Sequence, residues 1–410
     1  MEAAAKLGAV GGAAIHALAG FELPAGEASG TLDTPTYDSY CYDIDRTWAE
    51  NLASGPSRHQ GPQPERVWAP EDKWFDFLGH KLASPLGVAA GPLLSSEWIE
   101  LAGARGFDCV TYKTIRSHYH AGHGLPNILY LNTEEQLQAA GPTTAAPLQA
   151  APPGSGPRRQ LAITNSFGMP SRGPGEAAAD IRRAAGLLAP GQMMVVSVTG
   201  TPGRPGLSFQ SDLEAAARVA LEGGATVIEV NLSCPNVGAS HVALYLDAPA
   251  VGEAVRGLKQ VVGPVPLLLK VGAYPDTDSL RRVLAEAEAA GAAGIAGING
   301  LSRRVEAPGG GPALGPDRPT SGVCGDPIRG AGLDFVGQAR QIIAADSLGL
   351  RLVGVGGVTE VDHAFEYLRA GADVVQSATG FMWRPNLGLD FQRRWVASGC
   401  SARGDGRGGR

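Results

Sequence analysis

The chain has 410 residues, of which 44% are hydrophobic and 18% charged, and its formal net charge is −6. The apolar share is enough for a globular core, while an acidic balance argues against a nucleic-acid-binding surface, which needs clustered lysine and arginine. No apolar run reaches the ~18 residues that a membrane-spanning helix requires, so we expect no integral membrane segment.

The two ends of the chain lack the patterns of a packed domain. Residues 1–70 show no strong hydrophobic periodicity, and the final SARGDGRGGR cannot bury a core face. We predict a partly ordered N-terminal arm over 1–70, one domain over 71–396 and a disordered tail over 397–410. Five scattered cysteines without a C-x-x-C pair indicate a reducing compartment, and no targeting signal is evident. These features predict a cytoplasmic location.

Between the ends, short apolar segments alternate with helical stretches. The segments that read as strands are 84–90, 107–113, 194–199, 226–231, 266–271, 293–299, 351–356 and 373–379. The glycines predicted to end helices are Gly103, Gly223, Gly291 and Gly371. Eight strands alternating with helices favour an α/β fold of the (β/α)8 TIM-barrel type. The alternative is a doubly wound open sheet, in which G-x-G-x-x-G would follow the first strand.

Two connections are unusually long. One runs from Thr114 to about Gln192 and contains an Ala/Pro/Gly-rich stretch over 139–157, which we expect to be a surface excursion. The other runs from Gly300 to about Gly332. Loops of this length in a compact domain are usually functional or disordered.

Polar residues stand where the predicted strands end, and in a barrel these ends build the active site. Lys113 and Lys270 each close an apolar strand, where a lysine must pair or bind a ligand, so the two predict a shared anionic ligand. The residues at the other strand ends are Ala90, Gly91, Asn231, Asn299, Gly356, Gly357 and Thr379.

Glycine closes the seventh strand in Gly354-Val-Gly-Gly357, and Ala378-Thr379 closes the eighth. A phosphate held by backbone N–H groups needs this close approach, which glycine permits. Ordinary tight turns are the alternative explanation. The position at strands seven and eight favours phosphate binding.

Among the five cysteines, Cys234 is the one for which the sequence suggests a chemical role. Cys234 lies in a short polar loop, NLSCPN, where lysines across the barrel mouth could stabilise its thiolate. We expect the other four cysteines to be inert, although Cys324 lies near the presumed phosphate site.

Three histidines, His118, His120 and His123, lie close together in the sequence. No cysteine or carboxylate accompanies them as a further ligand, so we predict no metal site.

Several of these motifs together resemble the dihydroorotate dehydrogenase family over roughly residues 70–395. The strings that carry the resemblance, in the family's order, are LGHKLASPLGVAAG (78–91), NSFGMP (165–170), EVNLSCPN (229–236), GVGGV (354–358) and VVQSAT (374–379). The resemblance implies an FMN-binding (β/α)8 barrel that oxidises dihydroorotate to orotate in pyrimidine biosynthesis. A cysteine at position 234 resembles the soluble class 1 enzymes rather than the membrane-associated, quinone-using class 2.

The resemblance also implies roles for individual residues. Cys234 is the expected base for the C5 proton of dihydroorotate, and Lys113 the expected catalytic lysine near flavin and substrate. The implied substrate-binding residues are Asn165, Gly168, Met169, Asn231, Asn236 and Asn299. The implied FMN-binding residues are Ala90, Gly91, Lys113, Thr114, Lys270, Gly325, Gly356, Gly357, Ala378 and Thr379. The expected partners are a small-molecule substrate, an unknown electron acceptor and, as in class 1 relatives, a second copy in a homodimer.

The sequence departs from the family's pattern at some of these positions. Gly300 stands where the family usually has Ser or Thr, and Phe167 where the soluble class usually has Met. Ser171 replaces the Asn that often follows the proline of the NSFGMP motif. The substitutions leave open a flavin-dependent paralogue that acts on another dihydropyrimidine or an enone-like metabolite, and a non-catalytic relic. A third alternative is a Schiff-base aldolase or lyase that uses Lys113 or Lys270 as nucleophile.

Overall fold

The computed structural model describes residues 39–56, 64–133, 135–139, 146–152, 160–233 and 243–399. Within them, the strands are β1 (Phe75–Phe77), β2 (His80–Leu82), β3 (Leu86–Val88), β4 (Cys109–Ile115), β5 (Ile128–Tyr130), β6 (Leu148–Gln149), β7 (Ala162–Asn165), β8 (Met193–Val198), β9 (Ile228–Asn231), β10 (Leu267–Lys270), β11 (Gly294–Gly297), β12 (Leu301–Glu306), β13 (Thr320–Gly325), β14 (Arg351–Val355) and β15 (Val374–Ser377). The helices are α1 (Trp48–Ser54), α2 (Ser96–Ala104), α3 (Pro174–Ala185), α4 (Phe209–Glu222), α5 (Ala248–Val262), α6 (Thr277–Ala289), α7 (Arg329–Ala345), α8 (Val361–Ala370), α9 (Thr379–Trp383) and α10 (Leu387–Ala397).

Eight of the strands close into a barrel in which all neighbouring strands are parallel. In chain order they are β3, β4, β8, β9, β10, β11, β14 and β15, and β15 pairs back with β3. Each corresponds to one of the eight strands predicted from the sequence, and helices lie between successive strands. The prediction of a (β/α)8 barrel is therefore confirmed, and the alternative of an open sheet is wrong.

Apolar side chains from alternate positions of the barrel strands fill its interior, as expected for strands buried on both faces. This buried cluster includes Met193, Leu268 and Val353, and it also includes Phe77 and Leu82 from the β1–β2 hairpin. Ala83 N, next to β2, donates to the carbonyl of Gly191, just before β8 begins (2.9 Å). The hairpin therefore covers the end of the barrel opposite the C-terminal strand ends.

The two long connections form a second sheet that the sequence did not predict. Its strands run in the order β5-β7-β13-β12-β6, and β13 is antiparallel to both β7 and β12. Leu148–Gln149, inside the stretch expected to be a surface excursion, pairs with β12, and the neighbouring Ala150 is buried. Gln149 is nevertheless exposed and Leu148 half-buried, so this part of the stretch is an edge strand at the surface, while 140–145 and 153–157 lie outside the described residues.

The structure describes residues 39–56 and 64–70 of the predicted N-terminal arm, and the first of these segments packs against the barrel. Tyr40, Cys41 and Tyr42 are buried, and Trp98 Nε1 in α2 donates to the carbonyl of Cys41 (3.1 Å). The arm's residues 1–38 and 57–63, like the tail from 400 onward, lie outside the described residues. The division of the chain into arm, barrel and tail stays a prediction.

The predicted helix ends are correct at some glycines and wrong at another. Gly223 follows α4, and Gly371 follows α8 in the left-handed conformation (φ 114°). Helix α2 instead continues through Gly103 to Ala104, because Gly106 (φ 87°) is the glycine in the left-handed conformation after it. In the part of the chain that the structure describes, no helix has both the length and the apolar character needed to cross a membrane.

Candidate active site

A cavity of about 750 Å³ opens at the C-terminal ends of the barrel strands, beside the second sheet. Every predicted site residue that the structure describes lines it. These residues are Ala90, Gly91, Lys113, Thr114, Asn165, Gly168, Met169, Asn231, Lys270, Asn299, Gly325, Gly356, Gly357, Ala378 and Thr379. The remaining two, Cys234 and Asn236, lie outside the described residues. The barrel thus brings together residues that are scattered over 290 positions of the sequence, from 90 to 379.

Two buried lysines face this cavity. Lys113 on β4 is 9% exposed, and Lys270 at the end of β10 is 4% exposed. Neither ammonium group makes a hydrogen bond or a direct ion pair with another described residue. Burial, helped by the nearby charge of Arg116, lowers the pKa of Lys113 to about 8, and burial also lowers the pKa of Lys270. An anion in the cavity would supply the hydrogen-bonded partner that both ammonium groups lack.

A buried carboxylate lies close to Lys270. Glu229 is on β9, and the register pairs it with Leu268, while Asn231 pairs with Lys270. Glu229 is therefore the diagonal neighbour of Lys270 on the inner face of the barrel. Burial raises the pKa of the Glu229 carboxyl, and the charge of Lys270 opposes this shift. A charged residue in an otherwise apolar strand was a signal that sequence reasoning missed.

The ends of β14 and β15 leave backbone exposed to the cavity. Gly356 (φ 126°) and Gly357 (φ 69°) have conformations that favour glycine, and a Cβ on Gly357 would stand 2.6 Å from Cβ of Arg329. Their N–H groups donate to no other described residue. Thr379, which follows β15, lines the same cavity. Free N–H groups with no side chain in front of them can hold an anion.

A chain of polar groups links two strand ends with the 165–169 loop. Asn299 Nδ2 donates to Ser233 Oγ, which in turn donates to Asn231 Oδ1 (2.6 Å). Asn231 Nδ2 approaches the sulfur of Met169 (3.6 Å). Ser233 lines the cavity although it was not among the predicted residues. These contacts fix the side-chain amides of both asparagines at the cavity wall.

Residues 167–169 form a loop that we call the substrate loop. Its backbone carbonyl groups accept hydrogen bonds from residues outside the loop. The backbone N–H of His123 donates to Phe167 O (2.9 Å), and Arg116 donates to the carbonyl oxygens of Gly168 and Met169. Both Gly168 (φ 69°) and Met169 (φ 50°) are left-handed. In a trans peptide the N–H points opposite to the C=O, so the N–H groups of Gly168 and Met169 point away from these donors.

Cys324 is a second thiol in the candidate site. It lies on β13, lines the cavity, and its Sγ accepts a hydrogen bond from Asn165 Nδ2 (3.3 Å). Burial raises the pKa of the Cys324 thiol, against the opposing effects of Asn165 and Lys270. The sequence placed it only near the phosphate site, whereas the structure also places it beside a predicted substrate-binding residue.

Other parts of the chain complete the cavity wall. Tyr42, from the predicted arm, lines it and contacts Phe167 edge to face, with ring centroids 5.8 Å apart. His120 and His123 also line the cavity. Among the residues with described positions, no group of three or more His, Cys, Asp or Glu side chains could hold a metal ion.

The fold and the cavity define a (β/α)8 barrel with a candidate ligand site, lined by two buried lysines, at its C-terminal strand ends. The family described as dihydroorotate dehydrogenase has a sequence model that matches residues 155–387. A dihydroorotate dehydrogenase of Dictyostelium discoideum is 43% identical over 362 residues, which cover 85% of this chain and 96% of that protein. The chain belongs to the dihydroorotate dehydrogenase family, and it is an oxidoreductase.

More distant relatives differ in the electron acceptor that their names give. A quinone-type dihydroorotate dehydrogenase of Pseudoalteromonas translucida is 24% identical over 358 residues, 84% of this chain and 94% of that protein. The catalytic subunit of an NAD(+)-type enzyme of Solidesulfovibrio magneticus is 28% identical over 184 residues, 44% of this chain and 56% of that protein. The family resemblance predicted from the motifs is confirmed. The alternative of a Schiff-base aldolase gains no support from these comparisons.

Proposed function

We propose that this protein oxidises dihydroorotate to orotate in an FMN-dependent reaction, with Cys234 as the base. The observation that carries the proposal is the pair of buried lysines, Lys113 and Lys270, which line one cavity and make no hydrogen bond or direct ion pair with another described residue. Family membership supplies the reaction class, and the cavity supplies residues that fit both an anionic cofactor and an anionic substrate.

The residues around the strand ends fit FMN. Gly325, Gly356, Gly357 and Thr379 would hold its phosphate, since the two glycines after β14 have N–H groups that donate to no other described residue and a backbone conformation that favours glycine. Lys270 would pair with the flavin ring system, and the backbone at Ala90, Gly91 and Thr114 would border it. When bound, FMN supplies the acceptor for the hydride that leaves C6 of the substrate.

The opposite part of the cavity fits a small cyclic imide with a carboxylate. The side-chain amides of Asn165, Asn231 and Asn299 can donate to ring carbonyls and accept from ring N–H groups. Lys113 and the N–H groups of Gly168 and Met169 can bind the carboxylate. Asn236, the remaining predicted substrate contact, lies outside the described residues.

Proton removal is assigned to Cys234 on the strength of the resemblance. Its thiolate would take the proton from C5 while the hydride leaves C6, and the two departures create the C5=C6 double bond of orotate. The positive charges of Lys113 and Lys270 favour the thiolate form of a cysteine at this mouth. We also propose a homodimer, as the resemblance to class 1 relatives implies, and a cytoplasmic location.

The visible spectrum of the purified protein tests the proposal. We expect a flavin spectrum that dihydroorotate bleaches without oxygen, and we expect Cys234→Ser to slow bleaching while FMN stays bound. A colourless protein that cannot be reconstituted with FMN would overturn the cofactor assignment. Bleaching by dihydrouracil but not by dihydroorotate would favour the paralogue alternative, to which the glycine at position 300 points.

A further inference from the structure

We propose that Arg116 is a positioning residue that holds the substrate loop in the conformation needed to receive the carboxylate of the substrate. The inference rests on the proposed function, because it takes the substrate to be a carboxylate. It concerns a residue that the sequence did not single out, two positions beyond Thr114.

The guanidinium of Arg116 contacts two consecutive peptide groups. The residue follows β4, lines the cavity and is 5% exposed. Its Nε donates to Met169 O (3.0 Å), and its Nη2 donates to Gly168 O (3.3 Å). A planar guanidinium presents donors in a fixed fork, so these two bonds set the direction of both peptide planes at once.

The conformation that Arg116 holds is one that a free loop would seldom adopt. Met169 has a side chain and yet has φ of 50°, in the left-handed region next to the left-handed Gly168. The carbonyl of Gly168 accepts from Arg116 and that of Phe167 from His123, so the N–H groups on the opposite sides of these two peptides are those of Met169 and Gly168. Neither N–H has an acceptor among the described residues. Both residues line the cavity, where successive free N–H groups form an anion-binding concavity.

The remaining guanidinium nitrogen of Arg116, Nη1, forms a hydrogen bond with the barrel. Arg116 Nη1 donates to Thr201 Oγ1 (2.7 Å), and the Thr201 N–H donates to Oδ2 of the buried Asp212 (2.8 Å). Asp212 lies near the N-terminus of α4, and its carboxylate also accepts hydrogen bonds from Ser117 and Arg204. The guanidinium therefore has a contact with the barrel that is separate from its two bonds to the substrate loop.

The test compares Arg116→Lys and Arg116→Gln with the FMN-loaded wild type. A lysine keeps the charge, but its single nitrogen cannot reproduce the fixed fork of two donor nitrogens, whereas glutamine removes the charge and keeps only one donor nitrogen. We expect both to raise KM for dihydroorotate and Kd for orotate by at least about 10-fold, as the loss of charged hydrogen bonds implies. Flavin content and kcat at saturation should stay within about threefold of wild type, because the two hydrogen bonds of Arg116 involve none of the reacting atoms.

Two controls separate positioning from general structural support. Thr201→Val keeps both bonds to the substrate loop, so its Kd for orotate should change much less. The methyl ester of orotate lacks the carboxylate, and we expect the preference for orotate over this ester to shrink in both Arg116 variants but not in Thr201→Val.

Wild-type orotate affinity in Arg116→Lys would overturn the forked contact, and an unchanged preference for orotate over its ester in both variants would overturn the positioning role. Failure of both variants to fold with FMN would mean that Arg116 is structural, which also overturns it. If the wild-type flavin is not bleached by dihydroorotate, the proposed function fails instead.

Discussion

The sulfur of Cys324 lies against Gly300, so that a Cβ atom on Gly300 would stand only 2.9 Å from it. The same Cβ would lie 3.1 Å from the carbonyl oxygen of Val323. The two positions meet because β12 and β13 are paired, with Leu301 opposite Val323. The Ser or Thr that the family resemblance leads one to expect at position 300 therefore does not fit beside Cys324, and the thiol fills that space.

We predict that Gly300→Ser destabilises the protein by about 1–3 kcal/mol, the usual cost of overpacking, and weakens orotate binding. Cys324→Gly added to Gly300→Ser should recover part of both losses, because it removes the sulfur but not the close carbonyl. Urea unfolding and titration of the flavin spectrum with orotate would measure the two effects, with Cys324→Gly alone as control. Equal losses in the single Gly300→Ser variant and the double variant would show that Cys324 does not restrict position 300.

A second prediction concerns Lys270 and the buried carboxyl of Glu229. Lys270→Met removes the nearby positive charge, and we expect it to destabilise the protein at pH 8 by about 3 kcal/mol. The pKa of Glu229 is raised in the folded state, so the folded variant binds more protons than the unfolded chain, and its stability should fall as pH rises through that pKa.

The matched variant for this prediction is Lys270→Met/Glu229→Gln, which has no buried carboxyl to ionise. We expect it to recover most of the stability at pH 8, to lose the pH dependence and still to bind FMN weakly. Urea unfolding at pH 5 and pH 8 provides the measurement. If the double variant is no more stable than Lys270→Met, Glu229 does not depend on Lys270.

A third prediction follows from the pKa of Lys113, which burial and Arg116 lower to about 8. Lys113 attracts an anion only when protonated, so orotate affinity should weaken above pH 8, with a slope approaching tenfold per pH unit. The Cys234→Ser protein, loaded with FMN, is the form to titrate, since its thiol no longer ionises. Lys113→Arg in that background stays charged, and the same slope there would refute the assignment to Lys113.

The sequence was sufficient for the barrel because each central strand is a continuous apolar segment buried on both faces. It was insufficient for the second sheet, whose strands are short and whose partners are distant. Thr164 and Ser321, for example, are 157 residues apart and share a hydrogen bond. Nothing local predicts such a pairing, and LSRRVE of β12 reads as surface.

The same distinction applies to the candidate site. Lys113 and Lys270 could be found because a charge at the end of an apolar strand is visible in the sequence. The role of Arg116 and the contact of Cys324 with Asn165 could not, since both depend on a long connection that folds back over the barrel mouth. Tyr42 was missed for a similar reason, as it comes from a segment without periodicity.

The last prediction tests whether the predicted arm is needed for stability. Arg66 donates to the carboxylate of Asp108, which is fully buried and also accepts from Ser84 Oγ (2.7 Å) and Gln392 Nε2 (2.9 Å). Arg66→Met leaves this carboxylate without its only ion-pair partner among the described residues. We expect a loss of about 3–5 kcal/mol in the free energy of unfolding, measured with urea.

Lys73→Met is the matched control for Arg66→Met, because the Lys73–Asp72 pair is exposed and its atoms are 3.9 Å apart. Exposed pairs contribute about 0–1 kcal/mol, so this variant should unfold close to wild type. A protein lacking residues 1–70 should lose at least as much stability as Arg66→Met, since it also lacks the buried Tyr40 and Tyr42. If the shortened protein is as stable as the full chain, the arm only covers the barrel and Arg66 does not stabilise it.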